Sequence, residues 1–124
     1  MSKLDLTSIA TFDENALEQL HELQTEGEPS FVGGLISDYL LQVSALSAAI
    51  QTAEGAHDRN AVENAAHKLK SSSAVLGLSK LAAICFLIED AARAGKPTDD
   101  AVAMLESATP AAITALKTYL ATLV

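Results

Sequence analysis

An all-α fold, an antiparallel four-helix bundle with one short additional N-terminal helix, is predicted by three features of the sequence. Hydrophobic residues make up 49% of the chain, rich in Ala and Leu, and aromatic residues only 4%, a balance that favours helix over sheet. Apolar residues recur at helical spacing in successive stretches, and no segment alternates with the period of two that a half-buried strand requires. Glycine and proline fall mostly between those stretches, where they act as punctuation.

The elements follow in order. Acids from Asp13 onward suit a helix N-terminus, so a short first helix is expected over about 13–25, ended by Gly27 and Pro29. Ser30 can cap a second helix over 30–54, where Ile36, Tyr39, Leu40, Val43, Leu46 and Ile50 keep helical spacing until Gly55. Gly33 and Gly34 weaken its first turn. Asp58 is a good N-cap for a third helix over 58–76, with Gly77 as its stop. Ser79 is expected to cap a fourth over 79–94, in which Leu81, Cys85, Ile88 and Ala92 share a face before Gly95 and Pro97 close it. Thr98, Asp99 and Asp100 open the last helix, 98–123. Pro110 should kink or break it, because proline lacks the amide needed by the carbonyl four residues back.

The 124 residues read as a single domain, large enough for one core without disulfide or metal staples. A net charge of −8, with eight basic residues against sixteen acidic ones, argues against nucleic acid, whose phosphates need a basic face. The single cysteine excludes an internal disulfide and fits a reducing compartment. The strongly apolar run Leu81–Ile88 is too short to span a bilayer, and MSKLDLTS lacks the apolar core of a signal peptide. The expected location is the cytoplasm, without membrane association.

The stretch AAHKLKSSSAVLG, residues 65–77, carries the chemistry. Helix residues rotate by about 100° each, so Val62, Ala65, Ala66, Leu69, Ser73 and Leu76 form one core stripe. His67 lies about 200° from Leu69 and projects outward. Lys70 and Ser71 sit one turn above it, Glu63 and Asn64 one turn below, and Ala74 continues the same face. Small residues thus leave the imidazole open to an approaching surface, with an ammonium beside it. Histidine ordinarily titrates near 6.5, so a neutral imidazole can take a phosphoryl group near neutral pH without a dedicated base. A neighbouring cation would stabilise the incoming negative charge. By itself, a lone exposed His with Lys three residues on is more often a solvated face. Ser72 and Ser73, equally, could bond backbone carbonyls one turn back at a close helix contact.

The longer run AHKLKSSSAVLGLSKLAAICFLIE, residues 66–89, closely resembles the signature of histidine-containing phosphotransfer (HPt) domains: His-x-Leu-Lys, small residues, Leu-Gly, then Leu, Cys and an apolar-Glu pair at set spacings. The upstream FVGGLISDYLLQVSALSAAI is similar to the helix that precedes it in that family, and the helix order agrees over nearly the whole chain. The resemblance implies a four-helix-bundle relay module of multistep two-component signalling, a phosphoryl carrier rather than a turnover enzyme. His67 matches the phosphoacceptor and Lys70 the family lysine beside the phosphoryl group. Ser71 stands where many members have Gly, a place of close partner approach, which bears on partner choice or rate. Gly77 suits the turn between helices and Cys85 reads as core. The implied partners are response-regulator receiver domains and a hybrid histidine kinase, with Glu63, Asn64, Ser71 and Ala74 around the docking site. A monomer is expected.

The chain has no phosphate-cradling glycine loop leading into Lys-Ser/Thr, so no kinase or ATPase activity and no cofactor are expected. No acidic cluster is expected to hold Mg²⁺ near His67, so that ion should come from the receiver partner. Other readings weigh less. A histidine-kinase dimerisation helix would also expose a His, but an acid usually follows it there, and here Lys68 and Leu69 follow. A non-catalytic module that docks a receiver or kinase is the main alternative. A metal-binding bundle using His21, His57 and His67 lacks paired ligand spacing.

Overall fold

The computed structural model of the protein describes residues 9–22 and 31–122. They form five helices: α1 (Glu14–His21), α2 (Phe31–Gly55), α3 (Arg59–Val75), α4 (Ser79–Arg93) and α5 (Asp99–Ala121). Turns of a few residues join α2 to α5 in succession, which makes sequential neighbours antiparallel. Helix α3 packs between α2 and α4, and α5 closes the bundle against α4 and α2. The expected stops at Gly27 and Pro29 and the cap at Ser30 lie outside the described residues.

The three bundle turns share one device. At the end of α3, the amide of Leu78 donates to the Ser73 carbonyl at 2.9 Å and that of Gly77 to Ala74 at 3.1 Å. This double bond pattern satisfies the last carbonyls of the helix and requires a left-handed residue, here Gly77 at φ 78°. Gly95 does the same after α4 at φ 72°. After α2, Gly55 is still helical, one residue beyond the expected end of that helix, and the left-handed residue is His57 at φ 58°. Asp58 N–H then reaches back to Ala53 at 2.9 Å, while the Asp58 carboxylate caps α3 through the Ala61 amide at 3.2 Å.

Gly77 has a second constraint. Its carbonyl accepts from the Asp13 amide at 2.7 Å, and Lys80 N–H donates to Ala10 at 3.0 Å, so the segment leading into α1 is tied to the α3–α4 turn. Asp13 itself caps α1, accepting from the Asn15 amide at 3.0 Å. A Cβ on Gly77 would lie 2.2 Å from the Asp13 carbonyl oxygen, whereas one on Gly95 would meet only the flexible end of Arg59. Gly77→Ala therefore combines left-handed strain with a backbone clash and should cost about 2–4 kcal/mol in urea unfolding. Gly95→Ala should cost about 1–2 kcal/mol, from strain alone. Equal losses for the two would show that α1 is not anchored through this turn.

Two expected features of α4 and α5 differ in the structure. Ser79 is the first residue of α4 and makes no cap; fully buried Leu78 occupies the N-cap position, held there by the core. Pro110 neither breaks nor ends α5, which runs helical from Asp99 to Ala121. Pro110 and Glu106, whose carbonyl loses its donor, are exposed, so water can replace the missing bond. Buried Leu105, Ala112 and Leu116 hold both halves of the helix to the core. Thr98 occupies the α5 N-cap without a side-chain bond, leaving Asp99 and Asp100 to complement the first turn.

The core is apolar, with Leu17, Ile36, Ile50, Leu69, Leu81, Ile88, Leu105 and Leu116 all fully buried. A polar contact within it joins Tyr39 Oη and Ser73 Oγ, 2.8 Å apart between α2 and α3. Ser73 thus pairs across the helix contact instead of bonding back along its own helix, as Ser72 does to the Lys68 carbonyl at 3.0 Å. Burial raises the Tyr39 hydroxyl above its ordinary range, so it remains a neutral partner. Cys85 is fully buried, and desolvation pushes its thiol up to about 12, which suits a core residue and not a reactive one. By length and composition α2 could cross a bilayer, with a window of mean hydropathy 1.3; in the fold its buried stripe, Val32, Ile36, Val43 and Ile50, belongs to the core.

Candidate functional site

The predicted core stripe of α3 holds: Val62, Ala66, Leu69, Ser73 and Leu76 are buried, and Ala65 is half-buried. With Leu69 turned inward, His67 faces out, its side chain 59% exposed. Its Nδ1 lies 2.7 Å from Oε2 of Glu89 on α4. Glu89 is buried, its side chain 5% exposed, and its other oxygen, Oε1, accepts from the Lys70 ammonium. Arg93, one turn on from Glu89, donates from Nη2 to Oε2 at 3.2 Å and from Nε to Glu63 on α3 at 3.0 Å.

This geometry fixes the proton on the imidazole. The Lys70 hydrogen bond holds the Glu89 carboxyl below the usual carboxylate range; burial opposes that shift and the His67 hydrogen bond reinforces it. An ionised carboxylate only accepts, so Nδ1 must be the donor. When the ring is neutral, its lone pair is therefore on Nε2, away from Glu89. Lys70 is tethered from both sides, by Glu89 and by the exposed Phe86 ring, whose centroid lies 5.7 Å from Nζ. A cation is thereby held one helical turn from the nucleophilic nitrogen.

On the other side of His67, a groove of about 610 Å³ runs between α2 and α3. Ser71, Lys68 and Ser72 line its α3 wall with His67, and Leu41, Gln42, Ala45 and Leu46 its α2 wall. Leu41 is 80% exposed, the most open large apolar side chain among the described residues. Ser71, Asn64 and Ala74 are exposed on the same outward face of α3, whereas Glu63 is half-buried and engaged by Arg93. His57 lies in the α2–α3 turn and His21 ends α1; among the described residues no three His, Cys, Asp or Glu side chains group to hold a metal.

Glu89, Arg93 and Phe86 complete the site and were not assigned roles from the residues. A signal for Glu89 is present nonetheless. It falls four residues after Cys85 and eight after Leu81, so an acid sits on the apolar stripe of α4. A buried acid needs compensating donors, and here they come from both helices.

Known proteins agree with this architecture. The protein HptB, a histidine-containing phosphotransfer protein from Pseudomonas aeruginosa PAO1, superposes with a TM-score of 0.81 at 21% identity, covering 93% of this chain and 98% of that one. An HPT domain from a Shewanella sensor hybrid histidine kinase gives a TM-score of 0.73 at 21% identity, over 95% of this chain and 97% of that one. In sequence, the chain is 33% identical over 78 residues to multistep phosphorelay regulator 1 of Schizosaccharomyces pombe. That match takes in 63% of this chain but only 26% of the yeast protein's length. Residues 34–124, spanning the bundle and the whole His67 site, match the Hpt domain family. The chain belongs to that family, whose members perform histidine phosphotransfer in phosphorelays.

Proposed function

We propose that His67 is the phosphoacceptor and that the chain relays phosphoryl groups between receiver domains. The observation that carries this reading is the pairing of an exposed imidazole with a buried carboxylate at its Nδ1. Nε2 attacks the phosphorus of an aspartyl phosphate on the partner, the P–N bond forms, and the acyl P–O bond breaks to release the aspartate carboxylate. The proton on Nδ1 stays in place, and Glu89 balances the positive charge the ring acquires. Reversal of the same step delivers the group to a second receiver and returns a neutral imidazole. Lys70 stabilises the charge of the transferring group. The Mg²⁺ that such a step uses is supplied by the receiver, since Glu89 is already occupied by Lys70, His67 and Arg93. Glu63 is held by Arg93. The donor upstream is a hybrid histidine kinase, and the relay operates in the cytoplasm.

Incubation with a phosphorylated receiver should label the protein with a phosphoramidate, labile in acid and persistent in base. An acid-stable linkage, or binding of receivers without any label, would replace this reading with that of a non-catalytic docking module. Lys70→Ala should slow transfer about ten-fold, equivalent to about 1.4 kcal/mol of barrier, while the helical content is retained. Its side chain is 28% exposed and off the core stripe, and Glu89 keeps its His67 and Arg93 donors, so the variant should be less stable but still folded. Unchanged rates with saturating receiver would remove Lys70 from the mechanism.

A further inference from the structure

Phe86 is on α4, three residues before Glu89 and so one turn away along the same side of the helix. It is 49% exposed, and a lone exposed phenylalanine is ordinary at a protein surface. Its position relative to Lys70 is not ordinary. The Lys70 ammonium lies over the ring, 5.7 Å from the centroid, within the range at which the negative face of an aromatic ring attracts a cation. The two partners of Lys70 hold it in different ways. Glu89 is an ionised carboxylate, so its bond to Lys70 compensates the charge that it fixes. The ring attracts the ammonium without bringing a charge or an acceptor oxygen, and so leaves the N–H donors that Glu89 does not take available to an incoming anion.

We propose that Phe86 is a positioning residue for phosphotransfer, its ring keeping the Lys70 ammonium beside His67 as Lys70 turns from Glu89 to the phosphoryl oxygens. The inference rests on the reading of His67 as phosphoacceptor and Lys70 as the cation that meets the transferring group. To meet that group the ammonium must loosen its bond to the buried Glu89, and a flexible four-carbon stem then lets it swing into solvent. The ring is the second contact that opposes this loss. Leucine at position 86 would be apolar too but has no charged face to offer, whereas tyrosine keeps the ring. A cation–π contact at an exposed site is weak, so the ring should be worth only a few-fold in rate.

Two readouts on the full chain test this with Phe86→Leu and Phe86→Tyr, each made alone and on Lys70→Ala. Side-chain NMR reads the contact: the Lys70 Cε protons should be shifted upfield by the ring in the intact protein and in Phe86→Tyr, and should return to the ordinary lysine position in Phe86→Leu. Labelling rates read the chemistry, with a saturating phosphorylated receiver and with the small donor phosphoramidate, which needs no docking surface. Phe86→Leu should slow labelling about two- to five-fold with both donors, and Phe86→Tyr should restore most of the rate. On the Lys70→Ala background Phe86→Leu should have no further effect, because the ring acts through the ammonium. A loss confined to KM for the receiver, with the phosphoramidate rate unchanged, would make Phe86 a docking contact and overturn the positioning role. So would a loss that persists in full on Lys70→Ala, or a Lys70 signal that Phe86→Leu does not move. An intact protein that takes no label from either donor overturns the phosphotransfer reading and this role with it, which is distinct from an intact protein and a Phe86→Leu variant that label equally fast.

Discussion

His67→Gln is expected to reduce receiver-dependent labelling to background while leaving the fold intact. The side chain is 59% exposed on the outward face of α3 and contributes nothing to the core. Glu89 loses one of its three donors but keeps Lys70 and Arg93, so no buried charge is stranded. Substitutions at such surface sites usually change stability by no more than about 0.5 kcal/mol. Glutamine is close to the imidazole in size but has no basic nitrogen to displace a carboxylate from phosphorus. The two remaining histidines are not on α3: His57 is in the α2–α3 turn and His21 is the last residue of α1. Phosphotransfer followed by acid and base treatment of the product checks this directly. Persistent acid-labile label on the variant would move the phosphoacceptor to another residue.

Ser71→Gln should lower transfer by roughly a hundred-fold with an unchanged melting temperature, because misplacing reacting groups by about an ångström carries that order of penalty. Ser71 is exposed one turn above His67 and lines the same groove, so a longer side chain meets solvent in the free protein. In the complex it stands where the partner must bring its aspartyl phosphate into line with Nε2. Ser71→Gly tests the same position in the other direction. It should lose about 0.5–1 kcal/mol of stability from helix propensity and still transfer. Wild-type rates in the Gln variant would place the docking surface elsewhere on the bundle. Unfolding of that variant would instead contradict the outward assignment of this face.

The reach of the sequence is clearest at α3. Periodicity alone separates Leu69 from His67, and the structure buries the first and exposes the second. The same reasoning places Asp58 at a cap and Gly77 at a stop, because both depend on bonds within a few residues. Local reasoning fails where the core takes over. Buried Leu78 displaces Ser79 from the cap of α4, α2 runs through Gly55 to a left-handed turn at His57, and α5 continues through Pro110 because packing on both sides outweighs one lost hydrogen bond.

The sequence by itself determined an all-helical chain, an outward His67 with Lys70 on the next turn, and a core stripe beneath them, since each follows from rotation along one helix. Only the tertiary structure decided the chemistry of the imidazole. Glu89 lies 22 residues from His67, and nothing in local periodicity says that its carboxylate meets Nδ1. That contact requires α4 to pack antiparallel against α3 in one register, and the register is set by the turn at Gly77 and by the burial of Leu69, Leu81 and Cys85. Packing fixes which atoms of separate helices come within hydrogen-bonding distance, so the proton on Nδ1 and the lone pair on Nε2 belong to the fold.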